Sequence, residues 1–328
     1  MTIAGYRQLA TVLEAGKAAV LATVVQVRGS VPREVGAKMI IDEDGQTLDT
    51  IGGGAGEAKV IQHAMTVLQT GVKQWVEIDL TGASDRDTQG VCGGRMQVWL
   101  ERWSGEAALR FVHQILQPLA AGRSLTIVTP FAIDQSPYSV EQTLDLNLDL
   151  SLDQAFVEVL QPPPILVIVG AGHVGEQLAK VAAFIGFEIW VQDDRPEWAN
   201  SHRFPQATQI FTAPIRETIA PLETHTNLYI TLVTRGYTYD LEALEAILNH
   251  RLSCQYIGMI GSQRRVQQVY QTLQERGIVT SQLKTIHAPI GLDIGALTPE
   301  EIAISIAAEL IQVRRGGTGQ SLSHPLRD

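Results

Sequence analysis

Cysteine is almost missing from this chain, which carries only Cys92 and Cys254 in 328 residues. Two distant thiols exclude a disulfide framework and a four-cysteine zinc site, and they fit a reducing compartment. Basic charge is also in deficit: 25 Lys and Arg stand against 35 Asp and Glu, for a formal net charge of -10. Such a field repels phosphate backbones, and the basic pairs Arg264-Arg265 and Arg314-Arg315 are isolated, so no nucleic-acid partner is expected. Long apolar runs are lacking as well. The stretch from Ala18 to Val27 is too short to span a bilayer and follows Glu14 and Lys17, not a basic leader, so no membrane partner is expected and the chain is read as cytoplasmic. There is no P-loop Lys-Ser/Thr pattern, no Gly-x-Ser-x-Gly elbow and no His-Glu-x-x-His, and the eight histidines are scattered.

What is present is a globular balance, 45% hydrophobic and 18% charged, in a chain longer than the ~250 residues at which single cores stop growing. Two cores are therefore expected, and the fold class is α/β: an N-terminal α+β domain followed by a C-terminal Rossmann-like parallel-sheet domain. In residues 1–135, helical spacing from Ile3 to Ala15 precedes a strand from Ala18 to Val27. A hairpin is predicted through Asp42-Glu43-Asp44-Gly45, then a helix from Glu57 to Leu68, strands at Trp75–Leu80 and Met96–Leu100, a helix over Glu106–Leu119 and a strand at Leu125–Val128. Residues 136–163 read as edge strand and linker, stiffened by Gln161-Pro162-Pro163-Pro164. Residues 164–328 alternate strand and helix, with apolar strands at Ile165–Val169, Phe187–Gln192, Leu228–Val233 and Tyr256–Ile260. The last helix begins on Thr298 as N-cap, with Pro299 next and Glu301 completing a capping box.

A phosphate needs backbone N–H donors and a positive dipole, and a strand entering a glycine turn that opens a helix supplies both. Gly170, Gly172 and Gly175 have that spacing, and Asp193-Asp194 ends the second strand at the distance expected of a ribose-binding acid. Arg195 follows directly and suits a further phosphate, so the nucleotide type stays open. His173 is either a donor to that phosphate or an exposed turn histidine. Gly261 and Ser262, with Arg264 and Arg265, repeat the strand–turn–helix logic as either a second edge of the anion site or an ordinary βα loop. In the first domain the glycine density of Gly29-Ser30-Val31-Pro32-Arg33, Gly52-Gly53-Gly54 and Cys92-Gly93-Gly94, together with Glu57, allows close approach of backbone to a ligand. Cys92 is the natural reactive group there, as metal ligand or sulfur acceptor, against a plain packing role; Cys254 reads as inert packing.

These segments together resemble the XdhC/CoxI family, the xanthine dehydrogenase accessory proteins, over nearly the whole chain. The resemblance rests on Gly29-Ser30-x-Pro32-Arg33, Gly52-Gly53-Gly54-x-x-Glu57, Cys92-Gly93-Gly94, Gly170-x-Gly172-His173-Val174-Gly175, Asp193-Asp194-Arg195-Pro196, Thr234-Arg235-Gly236, Gly258-Met259-Ile260-Gly261-Ser262, Pro289-Ile290-Gly291-Leu292 and Thr298-Pro299-Glu300-Glu301. It implies binding of molybdenum cofactor, as molybdopterin or its dinucleotide form, during sulfuration and insertion into a xanthine dehydrogenase-type molybdenum hydroxylase. It also implies contacts with the hydroxylase apoenzyme and a cysteine desulfurase; a homo-oligomer is expected besides, although one sequence does not write its oligomeric state. A dehydrogenase activity proper is not expected, since two cysteines cannot ligate iron–sulfur clusters. Two positions depart from the family pattern: Ala55 stands where many relatives place a cysteine, and Tyr237 where they place a histidine. Cys92 is thereby left as the thiol of the first domain. The rival reading is an NAD(P)-dependent oxidoreductase in which the same fingerprint holds a dinucleotide.

Overall fold

A computed structural model of the chain describes residues 3–80, 93–140, 154–250 and 252–323, in two compact units, Met1–Leu160 and Gln161–Asp328.

The first unit runs α1 (Ile3–Glu14), β1 (Ala19–Arg28), β2 (Lys38–Asp42), β3 (Thr47–Asp49), α2 (Gly54–Thr70), β4 (Gln74–Asp79), β5 (Arg95–Trp103), α3 (Gly105–Ala120), β6 (Leu125–Pro130), β7 (Tyr138–Val140) and β8 (Ala155–Leu160). Its main sheet is antiparallel in the order β3-β2-β1-β5-β4, and a smaller one has the order β7-β6-β8. β1 reads as a continuous apolar run because both of its faces are covered. Val20, Ala22 and Val24 pack with Val60, Ala64 and Val67 of α2, whereas Ala19 and Leu21 join Leu9, Leu13, Val112 and Ile115 from α1 and α3. The Asp-Gly turn forms as expected: Asp42 Oδ1 accepts the N–H groups of Asp44 and Gln46 at 3.0 and 2.8 Å.

The boundary between the units falls after Leu160, inside the stretch 136–163 read as edge strand and linker, because β8 pairs antiparallel with β6 from Leu125↔Leu160 to Pro130↔Ala155. Lys38 of β2 ties β8 in from the main sheet through a 2.5 Å ion pair with Glu158. A second buried pair, Lys73–Glu101, closes at 3.0 Å. Burial pushes the Glu101 carboxyl up against the pull of Lys73 and Lys38.

The second unit runs β9 (Ile165–Val169), α4 (His173–Phe184), β10 (Glu188–Gln192), β11 (Ala207–Phe211), α5 (Ile215–Thr218), β12 (Leu228–Leu232), α6 (Tyr237–Asn249), β13 (Cys254–Met259), α7 (Gln263–Glu275), α8 (Thr280–Leu283), β14 (Ile286–His287) and α9 (Pro299–Arg315). Every strand pair in it is parallel, in the order β11-β10-β9-β12-β13-β14, which is the doubly wound Rossmann arrangement. Alternate β9 residues feed two cores. Ile165, Val167 and Val169 pack with the α5–α6–α7 side, and Leu166 and Ile168 with α4 and α9. The reciprocal capping box of Thr298 and Glu301 opens α9, and Gly316 closes it in the left-handed conformation at φ 73. Among the described residues no helix is long and apolar enough to cross a membrane.

Candidate functional site

The glycine turn after β9 uses its three glycines for different reasons. Gly170 sits at φ 115, and a methyl there would stand 2.5 Å from the carbonyl oxygen of Val233, so the chain leaving β12 leaves no room for one. A methyl at Gly175 would stand 2.1 Å from the Gly170 carbonyl oxygen, which fixes α4 against the end of β9. Gly172 differs. Its φ of -71 is open to any residue, and nothing lies within 4 Å of where a Cβ would be. Neither backbone conformation nor packing requires glycine at 172, and Gly172 gives α4 no side-chain cap for its first-turn N–H groups.

Asp193 is buried and its carboxylate is filled. Oδ2 accepts the Ala171 N–H at 2.8 Å, and Arg195 grips both oxygens, each at 2.8 Å. Burial alone would raise this carboxyl, but the Arg195 bonds and the Ala171 N–H together hold it below the ordinary carboxylate value. Asp193 thus braces the turn. Exposed Asp194 instead accepts from Arg235 Nη2 at 2.9 Å, and the Arg235 guanidinium lies 3.9 Å from the Tyr239 ring centroid. These groups rim a crevice of about 100 Å³ whose lining includes Val169, Gly170, Pro214, Ile215 and Thr234. On the helix side of the turn, Arg203 donates to the Ala171 carbonyl at 2.9 Å and to Glu176 at 2.6 Å. Its guanidinium lies over Trp198 at 4.4 Å, and exposed His173 meets the same indole edge-on at 5.7 Å.

The second strand–turn–helix is otherwise engaged. Ser262 Oγ caps α7 by accepting the Arg265 N–H at 3.3 Å, as its sequence position predicts. The Arg265 side chain donates to Asp240 at 2.6 Å and to Thr234 at 3.1 Å, so it locks the loop after β12 to α7 instead of facing a ligand. Burial raises the Asp240 carboxyl against the opposing bonds from Thr234 and Arg265. Gly261 lies close to the same side chain, 3.3 Å from Arg265 Cδ at the Cβ position.

In the first unit the glycine segments come together. A methyl at Gly29 would meet the Gly93 carbonyl oxygen at 3.0 Å, one at Gly94 the Ser30 carbonyl oxygen at 2.4 Å, and one at Gly52 the Pro32 ring at 2.5 Å. Gly53 and Gly54, at φ 75 and 66, open α2 with free space at their Cβ positions, and exposed Arg33 lies near Gly52, its Cγ 3.9 Å from that glycine's Cβ position. Glu57 is turned inward: its Oε2 accepts Thr50 Oγ1 at 2.5 Å and the N–H groups of Ile51 and Gly53 at 3.2 and 3.1 Å, holding the loop in shape. Cys92 lies outside the described residues. Burial pushes the Cys254 thiol up to about 12, which fits the inert role expected of it. Among the described residues no cluster of three or more His, Cys, Asp and Glu could hold a metal ion.

Sequence spacing alone did not single out Arg235, Tyr239, Arg203 or Trp198. The available signal was position: Thr234-Arg235-Gly236 follows β12, at the carboxyl edge where open α/β sheets bind ligands. Residues 166–310 match the XdhC Rossmann domain, and residues 12–79 match the XdhC and CoxI family. The chain is 28% identical to a probable xanthine dehydrogenase subunit of Bacillus subtilis (strain 168), over 94% of its own length and 97% of that protein's. It is 25% identical to the molybdenum cofactor insertion chaperone PaoD of Escherichia coli (strain K12), covering 92% of this chain and 85% of PaoD. It is 28% identical to the uncharacterized protein YqeB of the same organism, of which it spans about half the length, 46%. A crystal structure described as a xanthine dehydrogenase from Bacillus halodurans superposes with a TM-score of 0.77 at 26% identity, over 99% of this chain and 100% of that one.

Proposed function

Because the chain belongs to the XdhC and CoxI family, we propose that it is an accessory factor that binds molybdenum cofactor as cargo and inserts it into a xanthine dehydrogenase-type molybdenum hydroxylase apoenzyme. The name of PaoD, a molybdenum cofactor insertion chaperone aligned over most of both chains, supports the cargo and the partner. The observation that carries the binding step is Gly172, a glycine that neither φ nor packing demands, beside uncapped helix donors. The cofactor's phosphate takes that space and accepts from the first turn of α4. Sulfuration of the cargo is the finer part of the reading: a cysteine desulfurase supplies the sulfur, and Cys92 serves as its carrier or as a ligand to molybdenum. Self-association into a homo-oligomer completes it.

The test is anaerobic purification from a cofactor-producing host, followed by molybdenum analysis and an oxidative fluorescence assay for pterin. Near-stoichiometric molybdenum and pterin are expected in the wild type, and at least tenfold less in Gly172→Ala. Equal retention by the variant would remove the glycine turn from the binding step. One observation favours the rival NAD(P)-dependent oxidoreductase: the crevice at the carboxyl ends of β9, β10 and β12 is where such folds hold dinucleotides. Against it, the Asp193 carboxylate is already occupied by Ala171 and Arg195. Nicotinamide-dependent turnover by protein free of pterin would replace the carrier reading with this one.

A further inference from the structure

The last helix of the second unit carries an apolar stripe that its own core does not use. Along α9, Ala303, Ile306 and Leu310 are buried in the core of the sheet, while Ile304 and Ile311 are 52% and 38% exposed, with half-buried Ala308 between them. Residues 304, 308 and 311 lie four and three apart, so they stand in one row on the helix surface, with Glu301 before them and Arg315 after. A single exposed isoleucine is ordinary on a folded protein, but apolar residues in a row rimmed by charge mark a contact face.

Two more side chains extend the row into a face. Phe184, at the end of α4, is 90% exposed, and Leu297, just before α9, is 87% exposed. α4 packs along α9, and Arg314 donates to the Ile185 carbonyl at 3.2 Å, which sets the carboxyl ends of the two helices side by side. Phe184 therefore stands at one end of the face and Leu297 at the other.

The charges of α9 indicate what covers it. Glu300 and Glu301 open the helix and Arg314 and Arg315 close it, an order that suits its dipole. The same order attracts a second copy crossing antiparallel and repels one running parallel. About the point between Ala307 and Ala308, Ile304 and Ile311 lie equally far to either side, and so do Glu300 and Arg315. A two-fold axis through that point would set Ile304 against Ile311 of the partner subunit and Glu300 against Arg315 of the partner subunit. Ala308 would lie next to the axis, where its small side chain lets the two backbones approach closely.

We propose that the α4–α9 face is the two-fold interface of a homodimer, with α9 crossing its copy antiparallel at Ala308. A stable dimer buries about 800 Å² on each partner, more than the outward face of one 17-residue helix, about 25 Å long and 10 Å wide, can offer. α4 supplies the rest, and its Phe184 meets the end that carries Leu297 of the partner subunit. Such a dimer rests on the self-association included in the functional reading and is independent of the cargo.

The experiment is sedimentation velocity on the full chain at micromolar concentration, in parallel with the pterin assay. The wild type is expected to sediment as a dimer, and Ile304→Glu to weaken association at least tenfold, because the symmetry buries the new charge twice. Ile311→Glu should act alike, with circular dichroism reporting an intact fold for both variants. Glu300→Arg should weaken the dimer severalfold, and adding Arg315→Glu should restore it. Ala308→Cys should give a disulfide-linked dimer on mild oxidation, beyond any that the wild type forms. A monomeric wild type would overturn the interface and the self-association with it. A dimer that survives both glutamate variants, or an Ala308→Cys variant that does not cross-link, would overturn this face and leave self-association standing. A charge exchange that restores nothing would overturn the antiparallel register. A dimer that these variants break but that carries no pterin would uphold the face and sink the carrier reading.

Discussion

Asp193 has a depressed carboxyl despite being buried, so its stabilising effect is present above the ordinary value of about 3.9 and is lost as pH falls through the lowered folded value. Arg195→Met reverses that balance, because burial then dominates and penalises the charged acid. The variant should be destabilised by roughly 3 kcal/mol or less at neutral pH. The gap in Tm to wild type should narrow as the pH falls from the variant's raised carboxyl value toward and below about 4, and a gap independent of pH would show that Arg195 acts through packing alone. Cys92→Ala should leave the fold unchanged and lower activation of the target hydroxylase in a reconstitution assay; equal activation would remove the thiol from the mechanism. At this scale Gly170 and Gly175 were legible from sequence, since the turn and the helix packing demand them at fixed spacing. The occupancy of Asp193 was not legible, because it depends on where the Arg195 side chain folds back. Nor was the engagement of Arg265, whose partner Asp240 lies 25 positions away and becomes a neighbour only once α6 and α7 pack.

The elements that periodicity made visible are those with both faces or one full stripe buried, such as β9, β12 and α9. Those it missed are sheet margins. β11 is a strand with no fully buried residue, and β14 has two residues, so neither writes an apolar pattern into the chain. β8 fell within the stretch 136–163 read as edge strand and linker but its bounds were not legible, since it carries Glu158, a charge that pairs with Lys38. The capping box of α9 was readable outright because its residues are local. Thr298→Ala should therefore lower stability by about 1 kcal/mol, visible as a few degrees in Tm. Glu301→Gln, which keeps an acceptor for the N–H groups of Leu297 and Thr298, should cost less than Glu301→Ala.

At the scale of the whole chain, each unit carries its own buried clusters, Val20 and Met39 among them in the first and Leu166 and Ile230 in the second. A fragment spanning 161–328 should accordingly fold alone and unfold cooperatively in urea; a fragment lacking a cooperative transition would show that the second core depends on the first. The net charge of -10 works against any anionic ligand at long range, so the proposed capture of the cofactor phosphate rests on short-range backbone donors at the turn. A surface made of main-chain N–H groups has a practical corollary. Trimming side chains to alanine, the usual way of finding a binding surface, deletes nothing from it, and such a scan would pass over the turn as silent ground. Only substitutions that add atoms can report it, and under the proposed binding mode the first methyl group added at position 172 takes the open space assigned to the phosphate.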